Sequence, residues 1–184
     1  MKRFSMLFCA ILAGFSLHAQ DRYFTKTGHI DFFSSTPIED IKAANDQVTS
    51  FLDIRTGEMV FSVLMRSFTF DKALMQEHFN ENYVESDKFP KASFEGKIMG
   101  PGKIQWDKPG AVTVTVKGKL TIHGVSREIE ESGTFTVEAG KISGKSVFKL
   151  KPEDYGILIP QIMRKNIAEQ MTITVLMYYL PYKK

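Results

Sequence analysis

The chain has 184 residues, with 24 Lys and Arg against 21 Asp and Glu, a formal net charge of +3. That length supports one domain with a real core, and the near balance of charge, with no Lys/Arg block interleaved with aromatics, argues against nucleic acid. The single cysteine, Cys9, lies in the first 19 residues, so the remainder carries no disulfide, thiol nucleophile or thiolate metal site.

In chain order, Lys2 and Arg3 make a basic start and Phe4–Leu17 an apolar run of 14 residues. This is short of the roughly 20 residues that span a bilayer. With Leu17-His18-Ala19 as an imperfect cleavage site, residues 1–19 are expected to be a secretory signal peptide and 20–184 the mature domain, periplasmic or secreted. Cleavage there removes Lys2 and Arg3 and leaves 22 basic against 21 acidic residues.

The mature chain reads as about eight strands punctuated by turns. Tyr23–Phe33 is the first, with Phe24, Ile30 and Phe32 on one face. A polar stretch to Gln47 separates it from Val48–Ile54. Arg55-Thr56-Gly57-Glu58 turns into Met59–Ser67, where Met59, Phe61, Val63 and Met65 share a face. Asp71 is placed to cap a helix running to about Asn82, with Met75, Phe79 and Tyr83 on the face toward the sheet. Ala92–Ile98 alternates again. Pro101 and Pro109 bracket a loop carrying Trp106, the only tryptophan.

Ala111–His123 is the strongest signal. Val112, Val114, Val116, Leu120 and Ile122 point one way, and Thr113, Thr115, Lys117, Lys119, Thr121 and His123 the other. At about 3.3 Å per residue it extends on the order of 40 Å, so it must curl, with Gly118 as the expected bulge or bend. After the Gly124 turn, Ile129, Phe135 and Val137 oppose Glu128, Glu130, Thr134, Thr136 and Glu138. Gly140 turns the chain into Ile142, Ser146, Phe148 and Leu150. A short helix over Gln161–Glu169 and a last strand, Met171–Leu180, complete the set.

Hairpin-connected, two-faced strands favour an all-β fold, an eight-stranded antiparallel lipocalin-like barrel with one or two short helices near its mouth. Charged outer faces and the lack of aromatic girdles argue against an integral membrane barrel. The inward set is Phe32, Phe61, Val63, Met65, Phe94, Val114, Val116, Leu120, Phe135, Phe148, Ile173 and Val175. These side chains either line a ligand cavity or interdigitate as a filled core; strand parity alone leaves both open.

Several segments carry a resemblance. Met75–Tyr83 and Ser86–Phe94, Leu120-Thr121-Ile122-His123-Gly124-Val125-Ser126, Asp154-Tyr155-Gly156 and Ile173–Tyr178 resemble corresponding segments of YceI-like proteins. The resemblance extends over essentially the whole mature chain. It implies a barrel that binds a polyisoprenoid or similar long lipid lengthwise, without covalent chemistry. The amino-terminal region, Gly28-His29-Ile30-Asp31-Phe32-Phe33-Ser34-Ser35, departs from the family pattern, which lacks its usual early His-Ser here.

Other chemistry finds little support. His29, His78 and His123 form no ligand-spaced pair, so no metal and no cofactor are expected. No nucleophile elbow occurs, and Gly144-Lys145-Ser146 sits in a strand rather than before a helix, so neither an enzyme nor a phosphate loop is expected. Arg66, His78 and Arg164 are candidates for contacts to a ligand head group. A homodimer is compatible with this reading. The competing reading is a secreted interaction module, its barrel filled, that displays Trp106 to a protein partner.

Overall fold

The computed structural model describes residues 21–182, so the expected signal peptide lies outside them. Nine strands follow in order: β1 Arg22–Ser35, β2 Asp40–Asp53, β3 Glu58–Leu64, β4 Thr69–Phe70, β5 Lys91–Ile98, β6 Gly110–Ile122, β7 Val125–Glu138, β8 Lys141–Leu150 and β9 Met171–Pro181. Neighbours pair antiparallel, and β1 bonds to both β2 and β9, which closes the sheet on itself. β3 and the two-residue β4 both pair with the same edge of β2. The barrel therefore has eight positions round its circumference, as the alternation implied.

Tight turns set the register of the second half. His123 and Gly124 have φ of 51° and 75°, and Ala139 and Gly140 have φ of 48° and 77°. Two successive left-handed residues match the twist of a two-residue hairpin. β6 and β7 then pair without a register shift from Gly110↔Val137 to Ile122↔Val125.

Gly118 is accordingly not a bulge. It faces Gly96 directly across the β5–β6 pair, and a Cβ there would fall 2.4 Å from the Glu95 carbonyl oxygen. The glycine permits close approach of two backbones, the other use of glycine in a strand.

β1 and β2 differ most from expectation. Their pairing shifts register between Thr25 and Gly28 and again between Gly28 and Ile30. Each bulge inserts a residue and so exchanges the faces of the strand. Ile30 and Phe32 face inward as expected, but Phe24 does not. It packs against the Tyr182 ring, while Tyr23 packs on the core and Thr25 is buried. β2 begins at Asp40 rather than Val48, and its inward residues in the early half are Ile41, Ala43 and Asn45. Asn45 is fully buried at the site where β3 leaves β2. Its Nδ2 donates to the Leu64 carbonyl at 2.9 Å, and its Oδ1 accepts from Gln47 N at 2.9 Å. A side chain thus supplies the bonds that the ladder lacks there.

The first helical segment runs about as far as expected, but only its first half is α. Helix α1 spans Ala73–His78 and widens into a π turn, Phe79–Tyr83. Lys72, not Asp71, is the N-cap residue, and no side chain caps it. The second expected helix, Gln161–Glu169, is absent. One three-residue turn, Gln161–Met163, lies within an irregular strap from Gly156 to Gln170. Pro160 precedes that turn in an extended conformation. Ile157, Ile159 and Ile167 are buried while Leu158 and Ile162 are exposed, an alternation that suits a strap crossing a barrel mouth rather than a helix.

Candidate functional site

The barrel is filled at one end and hollow at the other. At the filled end Val48, Leu52, Ile98, Ile142, Met177 and Tyr179 are all at most 2% exposed. The Ser50 and Tyr179 hydroxyls hydrogen-bond at 2.8 Å in this packing, and burial pushes the Tyr179 phenol pKa upward. Trp106 belongs here too. Its ring lies edge-on to Phe135 at 5.4 Å, and its buried Nε1 has no hydrogen-bond partner among the described residues. It is partly buried and packs against the core.

The opposite half encloses a cavity of about 300 Å³. Of the side chains nominated by parity, Phe32, Phe61, Val63, Met65, Phe94, Val116, Leu120, Phe148, Ile173 and Val175 line it. Val114 and Phe135 do not; they are 8% and 3% exposed and belong to the filled half. Parity assigns a side chain to the inside of a barrel but not to a height along its axis, which is why these two were grouped with the rest.

The mouth is covered from two sides. Phe79, from the π turn, meets Phe32, Phe68 and Phe70 with ring centroids 5.0–5.7 Å apart, a compact edge-and-face cluster. The strap contributes Ile157, Ile159, Met163 and Ile167 to the cavity lining. It is tied to β1 by Ala168 N donating to Ser34 Oγ at 2.9 Å. A second tie runs through Glu39, which accepts from Asn166 Nδ2 at 3.2 Å and from Lys72 Nζ at 2.9 Å. These bonds, led by that from Lys72, hold the Glu39 carboxyl below its usual pKa. The strap residues were missed in sequence because a helix was expected there, although Ile157-Leu158-Ile159 already alternates with the buried isoleucines in phase.

Polar groups in the lining are few: Glu39, His78, Tyr83, Ser93, Glu131, Ser146 and Asn166. Among the described residues no Lys or Arg lines the cavity. Arg66 pairs with Asp87 on the surface, and Arg164 pairs with Glu153 at 2.6 Å. Of the three residues nominated for a head group, only His78 reaches the lining, from an exposed position on α1.

His123 does not bond locally as a turn residue would. Its Nε2 donates to Glu85 at 2.7 Å, and its Nδ1 lies 3.3 Å from the Tyr155 carbonyl oxygen. It joins the β6–β7 turn to the segment after the helix and to the base of the strap. Among the described residues, no group of three or more His, Cys, Asp and Glu could hold a metal. None of their helices is long and apolar enough to cross a membrane.

A closed antiparallel barrel, hollow at one end beneath a helix and a strap, defines the lipocalin-like class of binding barrels. The YceI-like domain family matches residues 17–178, and the chain belongs to that family. Three solved structures share the fold. A polyisoprenoid binding domain from Saccharophagus degradans, implicated in plant cell wall breakdown, superposes with a TM-score of 0.77 at 14% identity, covering 88% of this chain and 99% of that one. BcnA of Burkholderia cenocepacia gives 0.69 at 14%, covering 83% and 96%. The Campylobacter jejuni YceI protein gives 0.61 at 16%, covering 82% and 90%. No curated protein matches the chain in sequence.

Proposed function

We propose that this protein binds the apolar chain of a lipid, non-covalently, in the hollow half of its barrel, as a carrier or sequestering protein outside the cytoplasm. The observation that carries the reading is the cavity itself, about 300 Å³ walled by Phe, Met, Val, Leu and Ile side chains. A dry apolar cavity of about 150 Å³ holds a benzene-sized molecule. Twice that volume accommodates roughly a dozen carbon atoms, or about two isoprene units. A longer polyisoprenoid would seat one end here and leave the rest outside. The polyisoprenoid binding domain that shares this fold supports an isoprenoid as the ligand. Burial of such a chain draws about 25 cal/mol per Å² of apolar area, against the costs of association. The apolar run before residue 20 supports export, with the signal peptide cut after Ala19.

Native mass spectrometry of the protein from its own envelope, and of delipidated protein given polyprenol, tests the reading. Bound lipid is expected in the wild type. Phe61→Asp or Val116→Asp places a carboxylate in the cavity wall and should remove it. Lys117→Asp, on the outer face where Lys117 meets Glu130 at 3.5 Å, should not. Wild-type protein that is lipid-free and ignores added polyprenol would overturn the proposal. The mass of the amino terminus of exported protein tests the cleavage site.

A further inference from the structure

Glu131 breaks the pattern of its strand. On β7 the odd positions Ile129, Gly133, Phe135 and Val137 face inward, and Glu131 falls among them, paired opposite Val116. It lines the cavity and has no hydrogen-bond or ion-pair partner among the described residues. Its position in the barrel wall is also unusual. The β7–β8 ladder runs from Glu138↔Lys141 to Gly133↔Ser146 and ends there. Beyond it β7 stays bonded to β6 as far as Val125, and β8 to β9 as far as Leu150. The two strands separate, and a cleft of about 380 Å³ occupies the gap. Leu120, Ile129, Glu131, Phe148 and Leu150 border both the cleft and the main cavity, so the carboxylate stands where the apolar interior meets an opening in the wall.

Two features define what that carboxylate can recognise. An ionised carboxylate only accepts hydrogen bonds, so its partner must donate one. No cation in the cavity lining offsets it; of the three cations at the cleft, Arg127 Nε donates to the Asp154 carbonyl and Lys151 Nζ to Glu169, both at 2.9 Å, and Lys149 is exposed on the outer face of β8, between the inward Phe148 and Leu150. A phosphate or diphosphate in this position would face like charge with no cation in the cavity lining to offset it. Burial already holds the Glu131 carboxyl above its usual pKa.

Resting on the lipid-binding reading, we propose that Glu131 is the polar recognition group of the cavity: it accepts a hydrogen bond from the hydroxyl that ends an otherwise apolar chain. The protein then takes chain alcohols in preference to their phosphate esters, with the alcohol end at the β7–β8 opening. Glu131 in this role is a specificity residue, and no bond is made or broken.

The test uses delipidated full-length protein and displacement of the neutral fluorophore N-phenyl-1-naphthylamine by three probes of equal chain: farnesol, farnesyl monophosphate and the parent hydrocarbon. Wild-type protein should bind farnesol about tenfold more tightly than either other probe, the scale of one hydrogen bond to a charged group. Glu131→Leu should abolish the advantage of the alcohol over the hydrocarbon. Glu131→Gln keeps an acceptor but removes the charge, and should relax discrimination against the phosphate about tenfold. Both variants remove an inward charge, so both should fold, as far-UV circular dichroism would verify. Ratios that are the same in wild type and both variants would overturn the role of Glu131 and leave the lipid-binding reading standing. If none of the three probes displaces the fluorophore from wild-type protein, both fall together.

Discussion

Val114 and Val116 are two residues apart on one face of β6 and differ in what lies beyond them. Val114 is 8% exposed within the filled half, beside Val112 and Phe135; Val116 borders the cavity of about 300 Å³. Replacing each in turn by Phe adds the same volume to the same strand. In a close-packed interior the added ring forces side chains off their rotamers and costs about 1–3 kcal/mol. At position 116 the ring has space to enter, and the methylene-equivalents it buries contribute up to about 0.8 kcal/mol each. Val114→Phe is therefore expected to lower Tm by about 2–12 °C, at roughly 2–4 °C per kcal/mol for a chain of this size. Val116→Phe should leave Tm unchanged or raise it, while weakening lipid binding at least tenfold. Urea melts of delipidated protein give the stability difference, with equal m values as the control that both variants unfold from the same fold. Equal destabilisation by the two variants would mean that the barrel is filled throughout, and the proposed site would not exist.

Three further expectations concern the scaffold. Gly118→Ala should destabilise by about 3 kcal/mol or slow folding outright, because the new Cβ meets backbone at 2.4 Å, whereas Gly133→Ala, whose Cβ would sit 3.3 Å from the Lys145 carbonyl oxygen, should cost about 1 kcal/mol or less; thermal melts compare them. Tyr179→Phe and Ser50→Ala each strand one buried hydroxyl and should cost about 1–3 kcal/mol, with the double variant less destabilised than the sum; additive costs in chemical denaturation would show that the 2.8 Å bond is not made. His29 bonds Asp46 at 2.6 Å and Asp31 at 3.2 Å, and the bond to Asp46 leads the causes that raise its pKa. A raised pKa favours the folded state while the imidazole is protonated, so this contribution is fully present below the ordinary histidine value of about 6.5 and is lost as pH rises through the folded value. Asp46→Asn should lower stability by a few tenths of a kcal/mol at pH 5.5 in low salt and by nothing at pH 9; a difference that persists at pH 9 would refute the assignment.

Strand alternation made the second half of the barrel legible in the sequence, and the reason is local. Each face of β6, β8 and β9 meets one environment, oil or water, along its whole length, so a period of two survives without interruption. The first half was less legible because its register is not local. The bulges near Thr25 and Gly28 exchange faces in mid-strand, which sent Phe24 to the wrong side. The early half of β2 carries Asp40, Lys42, Asp46 and Gln47 on its outer face, while its inner face offers only Ile41, the small Ala43 and the hydrogen-bonded Asn45. Hydrophobicity is weak there although burial is complete at Ala43 and Asn45, 3% and 0% exposed. The strap failed for a different reason: residues 157–170 pack as an irregular cover whose order comes from Ser34 and Glu39, more than a hundred residues earlier in the chain.

The site was legible in direction and not in depth. A period of two states which side chains enter the barrel, and ten of the twelve nominated residues stand around the cavity. It says nothing about height along the axis, which is fixed by what closes each end. Tyr179, Leu52 and Met177 fill one end with large buried side chains, and at the other the Phe32–Phe79 cluster and the strap stand over the opening without filling it. The same rule applied without regard to hydrophobicity would have found Glu131, since 129, 131, 133, 135 and 137 form one face of β7. It was overlooked because a glutamate between Glu130 and Ser132 reads as part of a solvated run. A charged residue that obeys the parity of a buried face is in conflict with its surroundings unless something pairs with it. Glu131 stands partly exposed at the β7–β8 opening, where solvent can supply that pairing, and a ligand that donates a hydrogen bond would take the solvent's place.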